Sequence, residues 1–588
     1  MPPVNKPSEH YDAIVVGGGS GGLGAGRRAA ANYGKKVAII ESSGRLGGTC
    51  VNVGCVPKKV MREASGVLEN LRAAAEYGFE VDGKAPAVPQ INWSTLVEKR
   101  DAYIRRLNGI YDNNLVKDKV DYIAGYGRLL GNGKVHVTPV KTENGEGLSE
   151  ETVISADHII IATGGRPSSP SDDEIPGASL GIDSDGFFAL KEQPKRALLV
   201  GAGYIAVELA SLLQEFGTET HLVVRNDKAL RNFDPIIADT LMEEFTKSGM
   251  KIHTHSNVKR VDRQKGGPLS VTLVSGEVIE VDALIWAIGR TSNTEDLGLK
   301  EAGVGTDARG NIAVDRYQNT NVPNIYSVGD VQGRVPLTPV ALAAGRRLAN
   351  RLFGGERFKE DHLDYDNVAT AVFTHPAIGT VGLTEPQARA RFADEKITIY
   401  RTRFTPMFYS MLSEKSPTAY KIVCVGEEQK VVGVHMIGIG SDESIQTVAI
   451  AVKMGGASHT NQQPRQTLTR LSPCTPPRQR SLSLPMFLCR TRFYSFACTS
   501  TERSDASSIN FLMLPQYVLG SLRPIETCAG LCQRHRRTGF SASGGQVILS
   551  VFSGSNSGTP SLRCVARASR ACDSTSLGSM KTSDSVYM

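Results

Sequence analysis

The sequence lacks any uninterrupted apolar run of about 18 residues, the length a helix needs to cross a bilayer, so no membrane-spanning helix and no membrane partner are expected. Cysteine is sparse, 10 in 588 residues, which excludes a disulfide-stapled scaffold. The opening MPPVNKPSEH has neither an apolar core nor an Arg-rich amphipathic pattern. No cleaved targeting segment is visible in it, and a cytosolic location is the default expectation, with a mitochondrial one second. Glycine, by contrast, is abundant at 60 residues and shows no collagen-like period, which points to tight turns and close backbone approaches. A length of 588 corresponds to roughly four domains of about 150 residues.

Charge is shared unevenly. Residues 457–588 hold 14 Arg, 1 Lys and 5 acids, whereas 1–456 hold 52 basic and 55 acidic residues. The tail also carries 23 Ser and 7 of the 10 Cys. The two stretches read as different kinds of polypeptide. Neither aromatic spacing nor a charge stripe organises the tail arginines, so no nucleic-acid partner is expected.

Tyr11–Val16 (YDAIVV) reads as a buried strand, followed at once by GGGSGG and a helical stretch, then by the apolar run KVAII ending at Glu41. Gly17, Gly19 and Gly22 fit G-x-G-x-x-G, and Glu41 lies 19 residues beyond Gly22. Strand, glycine turn, helix, second strand and terminal acid together specify a dinucleotide-binding βαβ unit. Its glycines let a pyrophosphate approach the helix N-terminus, and its acid accepts hydrogen bonds from a ribose diol.

GGTCVNVGCVPKK follows, with four residues between Cys50 and Cys55. The pair could be half of a zinc site, but zinc takes four ligands and only Cys424 remains in 1–456, so no metal is expected. It could be two inert thiols. It could also be a dithiol that closes on itself: Gly47, Gly48 and Gly54 give the backbone freedom to bring the sulfurs together, and a helix N-terminus favours a thiolate.

This stretch closely resembles the pyridine nucleotide–disulfide oxidoreductases of the glutathione reductase type. The resemblance implies FAD in the first site, with Thr49, Thr163, Gly164 and Ser20 among its contacts, and a Cys50–Cys55 disulfide against the flavin. Cys50 is then the interchange thiol that attacks the substrate, Cys55 the flavin-facing thiol, and Lys58 the lysine beside the flavin N5. Glu208 matches the partner of that lysine, and Tyr204 the gate over the flavin.

A second unit begins at ALLV (Ala197–Val200), where Gly201, Gly203 and Ala206 fit G-x-G-x-x-A. An NAD site would place an acid after the next strand, HLVV; here Arg225 and Arg231 follow, suited to a 2′-phosphate, so NADPH is expected rather than NADH. By resemblance, Gly289 and Arg290 in WAIGRTSN join that site, Asp330 in NIYSVGD binds the FAD ribityl chain, and Thr338 opens the helix over the flavin pyrimidine. His375, before Pro376, reads as structural. Ser20, Arg27, Arg28, Tyr111 and Arg346 match substrate positions, and their basic character suits oxidised glutathione.

The resulting expectation is an α/β protein with two Rossmann-like nucleotide-binding domains plus an α+β dimerisation domain. The parts are an FAD domain (1–165), an NADPH domain (166–291), a central return to FAD (292–363), a truncated interface domain (364–456) and an irregular, disordered tail (457–588). The implied assembly is a homodimer. The resemblance stops near Gly456. The family's later His-Pro motif with its following glutamates, which supplies the acid–base for the interchange thiol, has no counterpart: His459 and His535 lack both the proline and the glutamates. An out-of-frame or unspliced reading of the gene's end is one explanation of the tail, and a basic appendage is the other. The alternative functions are a defective or mis-read flavoprotein that passes NADPH electrons only to dyes or oxygen, and a related disulfide reductase with a different substrate.

Overall fold

In the computed structural model of the chain, the described residues are 6–140, 142, 147–263 and 265–456. The expected irregular tail lies outside them.

The first sheet is built on His10–Val16, which pairs in parallel with Val37–Glu41 on one side and Thr152–Ile161 on the other. Asp121–Gly131 and Ile325–Ser327 extend it, also in parallel. These strands are apolar on both faces because both faces are covered. Their alternate residues divide cleanly. Ala13, Val15, Ile39 and Ile160 pack under the helices Ser20–Tyr33 and Thr338–Phe353. Ile14, Ile40 and Ile161 pack on the other side with Val135, Val137 and Ile154. The last three belong to an antiparallel layer formed where Asp121–Gly131 and Thr152–Ile161 run on to pair with Lys134–Pro139.

The two covering helices cross at backbone distance. A Cβ placed on Gly345 would lie 2.4 Å from Gly21 O and 2.9 Å from Ala25 N, so only glycine permits this crossing.

The second parallel sheet runs in the order Lys251–His253, Glu219–Val223, Arg196–Val200, Ala283–Trp286, Ile182–Asp183. A three-stranded antiparallel sheet, Val258–Arg263, Leu269–Leu273 and Val278–Val281, packs beside it. Gly165–Pro167 and Arg290–Ser292 pair antiparallel, forming a two-stranded ribbon through which the chain enters and leaves this unit. The sequence boundaries at 165 and 291 fall within that ribbon. The last unit is a five-stranded antiparallel sheet, from Thr370–Val372 to Ile397–Phe404, with the helix Ser441–Lys453 on one face. No helix among the described residues is long and apolar enough to cross a membrane. In each parallel sheet the glycine turn follows the carboxyl end of the first strand, where doubly wound folds bind ligands.

Candidate active site

A cavity of 590 Å3 lies at the carboxyl ends of the first sheet and reaches the edge of the second unit. Gly17, Gly19, Ser20, Glu41, Thr49, Cys50, Cys55, Lys58, Thr163, Gly164, Tyr204, Glu208, Arg290, Asp330 and Thr338 all line it. Residues far apart in sequence thus share one space.

At the first glycine turn, Gly17 has φ +114°, and a Cβ there would sit 2.3 Å from Ala162 O. A Cβ on Gly22 would sit 2.0 Å from Gly17 O. Both glycines are required by the protein's own backbone. Gly19 differs: its nearest neighbour is Gly48 Cα at 3.6 Å, so its face is open to the cavity. Ser20 is the first residue of the helix. Glu41 is buried and ties the strand end to the turn: Gly18 N donates to Oε2 and Ser43 N to Oε1, each at 2.7 Å. Each carboxylate oxygen keeps a free lone pair.

Cys50 lies inside the short helix Gly48–Val53, and Cys55 begins the long helix Cys55–Glu76 after the break at Gly54. Both cysteines are free thiols, so the structure holds the dithiol rather than the expected disulfide. The hydrogen bond from Cys50, assisted by the charge of Lys58, pulls the Cys55 thiol down to about 6 against its burial. Cys50 moves up, because it donates to Cys55 and is partly desolvated in the cavity wall. The pair therefore titrates as a unit, with Cys55 the more acidic sulfur and Cys50 the less acidic one. The position of Cys55 at a helix N-terminus favours the same polarity.

Lys58 Nζ is 2.7 Å from Glu208 Oε2, with Glu208 only 2% exposed. Burial alone would lower the lysine; Glu208 and then Cys55 outweigh it, and Lys58 stays above its ordinary value. Glu208 Oε1 also accepts from Phe373 N at 2.8 Å. Thr338, expected at the flavin pyrimidine, has its hydroxyl 3.7 Å from Cys55 Sγ. The Asp330 carboxyl is raised by burial and accepts no hydrogen bond from any described residue, although it faces the cavity. Thr163 Oγ1 donates to Asn293 O at 2.7 Å, and Asn293 returns a bond to Thr163 O at 3.0 Å. Arg290 reaches Thr49 Oγ1 at 3.4 Å and also bonds Gly165 O.

At the second turn, a Cβ on Gly201 would meet Ala287 O at 2.2 Å, whereas Gly203 has nothing within 4 Å. Ala206 fills the position of a third glycine and is fully buried. Gly289 also faces open space. Arg225, two residues past the strand Glu219–Val223, and Arg231 are both exposed, and neither pairs with a described residue. Two uncompensated guanidinium groups thus stand beside the second turn. Tyr204 opens the helix Tyr204–Glu215, its hydroxyl raised by burial and then by Glu208.

Of the expected substrate residues, Arg27 is paired with Asp118 at 2.6 Å and Arg28 with Asn350 Oδ1 at 2.8 Å. Arg346 is lowered by burial and by both of these arginines, so the three guanidinium groups lie close together. Tyr111 is raised by burial and then by Cys50. His375 is 3.5 Å from Glu69, outside the cavity lining.

Sequence reasoning missed an amide clamp on the cysteine loop. Asn52 Nδ2 donates to Leu46 O at 3.2 Å and Gly48 O at 3.0 Å; Asn108 Nδ2 donates to Leu46 O at 2.8 Å and Asn52 Oδ1 at 3.0 Å. The one available signal was an asparagine between the two cysteines.

Residues 11–345 match the family profile described as pyridine nucleotide-disulphide oxidoreductase, and residues 368–464 match that family's dimerisation domain. The chain belongs to the pyridine nucleotide–disulphide oxidoreductases. Among curated proteins it is similar to the glutathione reductase of Schizosaccharomyces pombe, 48% identical over 458 residues, 77% of this chain and 95% of that protein. It is likewise similar to the glutathione reductase of Yarrowia lipolytica, 47% identical over 450 residues, 76% of this chain and 94% of that protein. As an oxidoreductase of this family the chain uses FAD and NADPH. The residues fit both. Gly19 and Gly203 leave open faces where a pyrophosphate must approach, and Asp330 lines the same cavity as the sulfur pair with a carboxyl that accepts no hydrogen bond from a described residue.

Proposed function

We propose that this chain reduces glutathione disulfide to two glutathione thiols at the expense of NADPH, as a homodimer joined through its dimerisation segment. The observation that carries this reading is the Cys50–Cys55 dithiol lining the nucleotide cavity, with Cys55, the more acidic sulfur, beside Lys58. The similarity to glutathione reductases over most of their length supports it.

Bound FAD supplies the two-electron link between the reduced nicotinamide and the sulfurs. Gly17, Gly19, Ser20, Gly22, Glu41, Thr49, Thr163, Gly164, Asp330 and Thr338 would hold it. Gly201, Gly203, Ala206, Gly289 and Arg290 would hold the nicotinamide nucleotide, with Tyr204 as its gate and Arg225 and Arg231 on the 2′-phosphate. Lys58, fixed by Glu208, keeps positive charge where the electrons arrive.

The sulfur chemistry belongs to the chain. Cys50 passes its proton to Cys55, and Cys50 Sγ attacks one sulfur of glutathione disulfide; a Cys50–glutathione bond forms, the substrate S–S bond breaks, and the first glutathione leaves as a thiolate that takes that proton back from Cys55. Cys55 Sγ then attacks Cys50 Sγ, closing the internal disulfide and releasing the second glutathione. Arg27, Arg28 and Arg346 would attract the carboxylates of the substrate, with Ser20 and Tyr111 as its further contacts.

One observation favours a second reading. The Cys50 thiol is shifted upward by its bond to Cys55 and by desolvation, and the family's acid–base motif has no counterpart in this sequence. Without that group, NADPH-to-dye reduction would persist while glutathione disulfide turnover falls about 10²–10⁴-fold. Purified full-length chain assayed for both activities separates the two. Comparable competence supports the disulfide reductase; dye reduction alone identifies the defective flavoprotein.

A further inference from the structure

The chain is anchored on both sides of Arg231. Leu230 N donates to Ala202 O in the second glycine turn at 2.8 Å, with Leu230 held at φ +53°. Three residues past Arg231 stands Asp234, fully buried, whose Oδ1 accepts from Ile236 N at 3.1 Å and caps the helix Pro235–Lys247. The same carboxylate is gripped from the antiparallel unit. Lys421 Nζ is 2.7 Å from Asp234 Oδ1, and Glu385 N is 2.8 Å from Oδ2. Lys421, 7% exposed, also reaches Glu385 Oε2 at 2.9 Å.

His435 closes the cluster as a neutral ring. Its Nε2 donates to Leu383 O at 3.0 Å, its Nδ1 accepts from the Thr380 hydroxyl at 2.6 Å, and burial lowers it. Asp234 stays ionised: burial pushes its carboxyl up, but the Glu385 amide and Lys421 outweigh that and hold it low.

A buried ion pair adds little net stability over apolar packing of the same shape, yet removal of one partner strands the other. Such a pair fixes geometry. We infer that Lys421 is a positioning residue for the nucleotide. Through Asp234 it sets where Arg231 lies, and so governs the choice of NADPH over NADH from a strand in the dimerisation unit. The inference rests on Arg231 as a 2′-phosphate ligand.

The test measures dissociation constants of NADPH and NADH by fluorescence titration, without glutathione, on the full-length FAD-loaded chain and its variants. A wild type that does not prefer NADPH overturns the arginine assignment, and this inference with it. Given that preference, Lys421→Met weakens NADPH by about tenfold, the scale of one charge-assisted hydrogen bond, and leaves NADH within about twofold. Lys421→Arg restores most of the difference. Equal weakening of both nucleotides, or no change in their ratio, overturns the inference. Should Lys421→Met fail to accumulate folded, Asp234→Asn, which keeps the capping oxygen and the shape, decides by the same ratio.

Discussion

The Lys58–Glu208 pair offers a direct test of how the site controls its sulfurs. Lys58→Met removes one partner of a buried pair 2.7 Å apart and leaves Glu208, 2% exposed, with Phe373 N as its remaining donor. Stranding a buried charge costs about 3–5 kcal/mol. The double variant Lys58→Met/Glu208→Gln strands nothing and should recover most of that loss. The effect on sulfur follows a different order. Lys58 lowers the Cys55 thiol while Glu208 raises it. In Lys58→Met the Cys55 midpoint therefore climbs from about 6 toward the ordinary thiol value, and in the double variant it climbs less. Denaturant unfolding gives the stabilities, and ultraviolet thiolate absorbance of the reduced protein against pH gives the midpoints. A single variant as stable as the double, or a Cys55 midpoint unmoved by loss of Lys58, would refute the reasoning.

Three further outcomes are expected. Arg225→Ala and Arg231→Ala should each raise the KM for NADPH about 10–100-fold with little change for NADH, each removing a charge-assisted phosphate contact, as steady-state kinetics with both nucleotides will show. Gly345→Val should destabilise the protein by at least about 1–3 kcal/mol in denaturant unfolding, because its Cβ lands 2.4 Å from Gly21 O. Asp234 is depressed in the fold, so its stabilisation is complete above its unfolded pKa and disappears as pH falls through the lower folded value. Wild type should thus lose stability relative to Asp234→Asn on acidification below about pH 4, a trend measurable by unfolding curves at successive pH values.

Most of the two nucleotide folds was legible because their signals are local. Gly17 and Gly22 are demanded by backbone atoms a few residues away or on the adjoining strand, and spacing alone exposes them. The cysteine pair was legible for the same reason. What escaped depends on partners that only folding supplies. Asn108 reaches back 62 positions to Leu46, and Lys421 meets Asp234 across two units; neither residue carries any pattern in sequence. Arg27 shows the converse. The resemblance made it a substrate contact, and nothing in its sequence surroundings announced Asp118, from the end of a helix, which holds it at 2.6 Å. Such pairings require long-range packing that periodicity does not encode.

The ribbon of Gly165–Pro167 against Arg290–Ser292 makes the second nucleotide unit an insertion with its two ends side by side. A cassette of that kind can be exchanged for one with different coenzyme taste while the cysteines and their helix stay untouched. The graft would carry two conditions: a glutamate in place of Glu208 to hold Lys58, and an acid capping the helix that replaces Pro235–Lys247 to meet the lysine waiting at position 421.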